Sequence, residues 1–129
     1  MGQIDIEKAL AELAYDILDM SRVSDILNNP KEFPVSLVEE LSIKTALKYW
    51  EGNLHFEDAD CIVNNLYFFW VCNEYFVTKF SFPDAAWECF LAFDAGEFHH
   101  PNDDSSINPE EKYTRPLVKK LLKKSGLIE

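Results

Sequence analysis

The stretch from Asp58 to Phe82 constrains this chain more than any other, because nowhere else is so much apolar surface gathered in so few residues. From Cys61 to Phe80, 14 of 20 positions are apolar or aromatic, and the remainder are Asn64, Asn65, Asn73, Glu74, Thr78 and Lys79. A membrane-spanning helix needs about 20 predominantly apolar residues with few or no charges. Three asparagines and two charged groups inside the run argue for burial in protein instead. The run reads either as one helix or as two strands, with Asn73-Glu74 as the turn of a hairpin over residues 66–82. Tight hairpins require positive φ and favour Asn-Gly or Asp-Gly, so Asn-Glu is a poor turn. A helix aligns Ile62, Leu66, Phe69, Asn73, Phe76 and Phe80 at three- and four-residue spacing. The expectation is an all-α fold, a bundle of about five helices around a central helix apolar on most sides. An α+β fold with the hairpin is the alternative.

A chain of 129 residues has the size of one domain and can bury a core without staples. Asp5 can cap a first helix, whose face is Ile6, Ala9, Leu10, Leu13, Ala14, Ile17 and Leu18. Ser24 can cap a further turn that Asn28-Asn29-Pro30 ends. Ser36-Leu37-Val38-Glu39 has the spacing of a capping box, and the helix it opens buries Leu37, Val38, Leu41, Ala46, Leu47 and Trp50 before Gly52-Asn53. Glu57, Asp58 and Asp60 suit the positive end of the central helix; membership in a carboxylate cluster is the alternative for them. Ser81-Phe82-Pro83-Asp84 repeats the start signal. The helix after it places Ala86, Cys89, Phe90 and Phe93 on one face, flanked by Trp87 and Leu91, and stops at Gly96. Residues 97–107 have no period and read as a polar loop. After Asn108-Pro109-Glu110-Glu111, Pro116 should interrupt the helix, with Thr114 capping a second piece from about Arg115 to Lys124, closed by Gly126.

Charge is distributed unevenly. The formal net charge is −11, made of −16 over residues 1–111 and +5 over residues 112–129. Between Tyr49 and Glu111 there are 13 acids and one base, Lys79. Such a field repels nucleic-acid backbones and attracts cationic partners. Lys119, Lys120, Lys123 and Lys124 lie in the last turns of a helix, where cations suit the dipole. They are expected to fold against the acidic body and not to bind nucleic acid. The three cysteines, Cys61, Cys72 and Cys89, are neither a disulfide framework nor a zinc signature and read as small core residues. With no basic and apolar leader at the N-terminus, a cytoplasmic location without membrane attachment is expected.

Asp94, Glu97, His99, His100, Asp103 and Asp104 lie within eleven residues, and nothing else in the chain gathers several ligating or titrating groups. Glu97, His99, His100 and Asp103 are the candidate metal ligands, since imidazole and carboxylate serve zinc, iron or manganese. Glu97 and His100 have the spacing of a ligand pair on a helix, yet they fall beyond the stop at Gly96, so a solvated loop without metal or other cofactor is expected. No Gly-x-Ser-x-Gly elbow and no glycine-rich phosphate loop is present, and nothing selects a carboxylate pair for glycoside hydrolysis. The eighteen aromatics fill a core or line a small-molecule pocket, and Glu74, if buried, needs Lys79 or a tyrosine as partner.

Protein recognition is the leading function on these grounds, with a metal- or ligand-binding domain or an enzyme using the 94–104 loop as the alternative. In size, acidity and want of catalytic constellations the chain is similar in general character to the small acidic immunity proteins and antitoxins of bacteria. That resemblance implies a basic partner such as a nuclease toxin, and transfers no individual residues. The expected contact residues are Asp94, Glu97, Phe98, Asp103 and Asp104, carboxylates to steer the partner and an aromatic to hold it.

Overall fold

The computed structural model describes residues 4–129, which form an all-helical bundle without strands. Its elements are α1 (Ile6–Leu13), α2 (Met20–Ile26), α3 (Val35–Trp50), α4 (Phe56–Val71), α5 (Glu74–Lys79), α6 (Asp84–Asp94), a π-helical turn (Glu110–Thr114) and α7 (Arg115–Lys124). The central run is therefore helical, as its periodicity requires, and the hairpin is not formed. It is two helices and not one. Asn73 leaves helical geometry at φ −108° and ψ 109°, and its side chain accepts from the Phe76 amide, so it ends α4 and caps α5. An asparagine competes with the backbone for its own amides and is favoured at caps for that reason. Glu74 consequently opens an exposed helix and needs no buried partner.

α4 carries both halves of the core. Ile62, Leu66 and Phe69 pack with Leu10, Leu13, Val23, Leu27, Phe33 and Phe76 from the N-terminal helices and α5. Ala59 and Val63 pack with Tyr49, Cys89, Phe93, Val118 and Leu122 from α3, α6 and α7. One helix can serve two clusters because it is apolar on most sides, as a helix enclosed by a bundle must be.

α1 is capped by Asp5, which accepts from the Lys8 amide, but it ends at Leu13 and not at Leu18. The reason is Asn65. Its fully buried side chain donates to the carbonyls of Leu13 and Asp16 at 2.8 and 2.9 Å and accepts from the Leu18 amide at 2.9 Å. Backbone groups that a longer α1 would pair internally are thus satisfied from α4, and Ile17 turns to solvent. Three expected caps also give way. Asp19, not Ser24, caps α2; α3 begins at Val35 behind Pro34, with Ser36 inside the helix and no capping box; and Pro83 precedes α6 with no bond from Ser81. Prolines can do this because they end the preceding chain and fix φ without needing an amide partner. On α3 the buried face is Val38, Leu41, Ser42, Thr45, Ala46 and Tyr49, with Leu37, Leu47 and Trp50 only partly covered. Gly52 stops it at φ 83°.

The C-terminal region is continuous. Thr114 keeps right-handed helical angles, and its hydroxyl donates to the Ala92 carbonyl at 2.7 Å, so it joins the π turn to α6 instead of capping α7. Pro116 sits in the first turn of α7, where its missing amide is harmless. Gly96 makes this packing possible: a Cβ there would lie 2.1 Å from Thr114 Oγ1 and 3.2 Å from Glu110 Cα. Among the described residues no helix is long and apolar enough to cross a membrane.

Candidate functional site

Two helices with outward-facing chemistry meet along α4 and α6. They run antiparallel, since Tyr67 stacks on Phe90 at 4.5 Å between ring centroids while Asp60, two turns earlier on α4, lies by Asp94 and Glu97 at the far end of α6. The helical repeat gives each an outer stripe, Asp60, Asn64, Tyr67, Phe68 and Val71 on α4 and Asp84, Trp87, Leu91 and Asp94 on α6. The result is one face with carboxylates at one end and aromatics at the other.

At the acidic end Asn64 donates to the carboxylate of Asp60 at 3.1 Å and to its carbonyl at 2.7 Å. Burial, and then the charge of Glu97 opposite, push the Asp60 carboxyl up to about 7, with Asp94 adding to the effect. Glu97 is raised as well, first by burial and then by the repulsion of Asp94, against the hydrogen bond it shares with Asp60. Two acids that face one another cannot both ionise without cost, so the pair holds a proton near neutrality. A guanidinium or ammonium placed here would replace that proton. Asp60 therefore belongs to a carboxylate cluster and not to the first turn of α4, where Glu57 and Asp58 do lie.

The loop carboxylates are in the opposite condition. Asp103, whose side chain is 9% exposed, accepts from Lys112 Nζ and from the Tyr113 hydroxyl, both at 2.6 Å. These bonds hold its carboxyl below the usual range. Asp104 accepts from the Ser106 amide and is lowered by it. His100 stacks on Tyr113 at 3.8 Å and places Nε2 2.8 Å from the Ala95 carbonyl. The segment is pinned to the π turn and is not a freely solvated loop. His99 is exposed, and among the described residues no three histidine, cysteine or acidic side chains converge as metal ligands. Of the five expected contact residues the structure brings together Asp94 and Glu97. It leaves Phe98 74% exposed and spends Asp103 on the loop itself.

The aromatics divide between core and surface. Phe33, Phe69 and Phe76 are buried together, whereas Trp87 and Leu91 are 41% and 42% exposed. Trp87 lies nearly parallel to Phe90, which is stacked on Tyr67, so the exposed indole is backed by packed rings. Of the cysteines only Cys89 is buried, its thiol pushed up by burial and donating to the Ser42 carbonyl. Cys61 is half-buried, with a thiol raised to about 11 by burial and by neighbouring acids, and Cys72 is exposed. The basic helix folds back less than expected. Lys124 pairs with Glu88, but Lys119, Lys120 and Lys123 are exposed and join no ion pair among the described residues.

Sequence reasoning gave Asp60 to the helix N-terminus, with a carboxylate cluster as the alternative, and left Asn64 and Trp87 without a place on this face. The usable signal was the i, i+4 spacing of Asp60 and Asn64 on α4, which puts two polar groups on one line. Comparison with family models, with curated proteins and with solved structures finds no match.

Proposed function

We propose that this chain is a protein-binding module whose α4–α6 face receives a basic protein partner. The observation that carries the reading is the continuity of Asp94 and Glu97 with the exposed Leu91 and Trp87 on that face. Carboxylates that repel one another gain most from an incoming cation, and an exposed tryptophan backed by packed rings is the residue type that dominates interface energetics. The net charge of −11 adds long-range attraction, which acts on the association rate and weakens with salt. Neutralisation of a nuclease toxin, in the manner of immunity proteins and antitoxins, is the specific form of this proposal; its support is size and acidity.

The test is co-expression with the product of the adjacent upstream gene, followed by purification and measurement of association kinetics. The expected result is a complex whose on-rate falls as salt rises. Asp94→Asn with Glu97→Gln should slow association, and Trp87→Ala should speed dissociation by about tenfold or more. A complex indifferent to salt and to all three changes would refute the assignment of this face.

A further inference from the structure

At the aromatic end of the same face, the chain between α5 and α6 folds over Trp70 and leaves an open cavity of about 340 Å³. It is lined by Trp70, Val77, Phe80, Phe82 and Trp87, together with Ser81 and the carboxylate-bearing Asp84. Trp70 is locked in place by donation from Nε1 to the Phe80 carbonyl at 2.9 Å, and its ring lies 5.4 Å from that of Phe82. Asp84, exposed in the first turn of α6, joins no ion pair among the described residues.

We infer that this cavity is an anchor pocket for an arginine side chain of the partner, an inference that rests on the basic-partner reading above and gives it a specific contact. The chemistry is that of a planar cation against aromatic side chains with a carboxylate in the same lining. Aromatic rings present negative faces to a cation, tryptophan most strongly, and a guanidinium stacks on them better than an ammonium does. The molecule already uses this arrangement internally: Arg115 lies 4.6 Å from the centroid of Trp50 and 5.7 Å from that of Tyr49, whose hydroxyl donates to Glu110. In the cavity the aromatic walls and the carboxylate are present, and the cation is left for a partner to supply. A neutral apolar side chain would fill the same walls without using Asp84.

The three tryptophans make the test internally controlled. The full-length protein, labelled with ¹⁵N, is titrated with N-acetyl-arginine amide while the three indole N–H signals are followed. Trp70 and Trp87 should shift saturably and Trp50, covered by Arg115, should not. The neutral isostere N-acetyl-citrulline amide should bind at least about tenfold more weakly, the loss expected for a cation–π contact. Asp84→Asn should weaken arginine binding by up to about fivefold, as for an exposed ion pair, and Trp87→Ala by about tenfold. Equal binding of citrulline, equal binding of the lysine analogue, or absence of a saturable shift at Trp70 and Trp87 would overturn the assignment. No partner protein is needed, because the indole signals of Trp70 and Trp87 report the pocket directly. Loss of the titration with partner binding intact removes only the pocket, and the reverse result removes only the basic-partner reading.

Discussion

At Asp103 a carboxylate meets a lysine ammonium and a tyrosine hydroxyl, whereas at Asp60 it meets another carboxylate. Both regions are centred on an aspartate, but the fold treats the two differently. Around Asp103 the chain supplies every partner from its own π turn, so the acid is structural and its charge is spent. Around Asp60, Asp94 and Glu97 it supplies one neutral amide, that of Asn64, and no cation among the described residues, so the repulsion is relieved only by a proton held between Asp60 and Glu97. Acidity in a sequence therefore marks two things, carboxylates that pin a local segment and carboxylates that strain the fold, and only the second kind gains from a ligand.

The adjacent asparagines of α4 give the sharpest contrast and the largest expected effect. Asn64 faces the acids, while Asn65 makes three buried bonds to the turn after α1. Asn65→Ala leaves an amide and two carbonyls unpaired and should cost about 3 kcal/mol in chemical denaturation; Asn64→Ala should cost well under half as much. Equal losses would dissolve the distinction. Next in size is Gly96→Ala, which drives a methyl group into Thr114 and the backbone of Glu110. It should cost about 2 kcal/mol and release the π turn that supplies Lys112 and Tyr113 to Asp103; unchanged stability would show that the turn yields freely.

A smaller effect carries a diagnostic sign. Because the folded-state pKa of Asp60 is raised from 3.8 to about 7, the folded protein binds more protons than the unfolded chain across that window. Stability is full below about pH 4 as far as this group is concerned and falls as pH rises toward 7, the reverse of a paired carboxylate. Asp60→Asn should thus stabilise the protein by about 1 kcal/mol at pH 8, after discount for solvent screening, and leave it unchanged near pH 4. A loss of stability at pH 8 would mean that the Asp60 carboxylate is held by favourable contacts. Asp103→Asn, the smallest change, should leave the melting temperature nearly unaltered while the amides of residues 100–107 exchange faster, measured by hydrogen–deuterium exchange. Unaltered exchange would mean that the loop is held by something other than Asp103.

Periodicity made the helices legible, because burying an apolar stripe is a local requirement written in consecutive residues. α7 runs from Arg115 to Lys124 as its pattern requires. Caps and ends were less legible, since Asn73, Asn65 and Thr114 act through bonds whose worth depends on what lies across the core. Ser36 had the spacing of a cap and none of the geometry, because the chain enters α3 through Pro34. Within the site, Asp94 and Glu97 were readable as exposed acids near a helix end. Their meeting with Asp60 was not, because 34 positions separate Asp60 from Asp94 in sequence and only antiparallel packing of α4 on α6 joins them.

We propose that Asp94 and Glu97, which lie by Asp60 without a cation among the described residues, and not the loop acids bound to Lys112, Tyr113 and Ser106, receive the partner. The direct measurement is the association rate of the purified basic partner with two double variants at low salt, Asp94→Asn/Glu97→Gln and Asp103→Asn/Asp104→Asn. Both remove the same formal charge, so at a pH above the raised Asp60 carboxyl, where the Asp60–Glu97 pair has lost its proton, general steering falls equally in each. The account predicts that the first variant slows association by a further factor of about five and weakens the complex, as loss of a direct ion pair would. Equal rates in the two variants, or a slower rate in the loop variant, would contradict it.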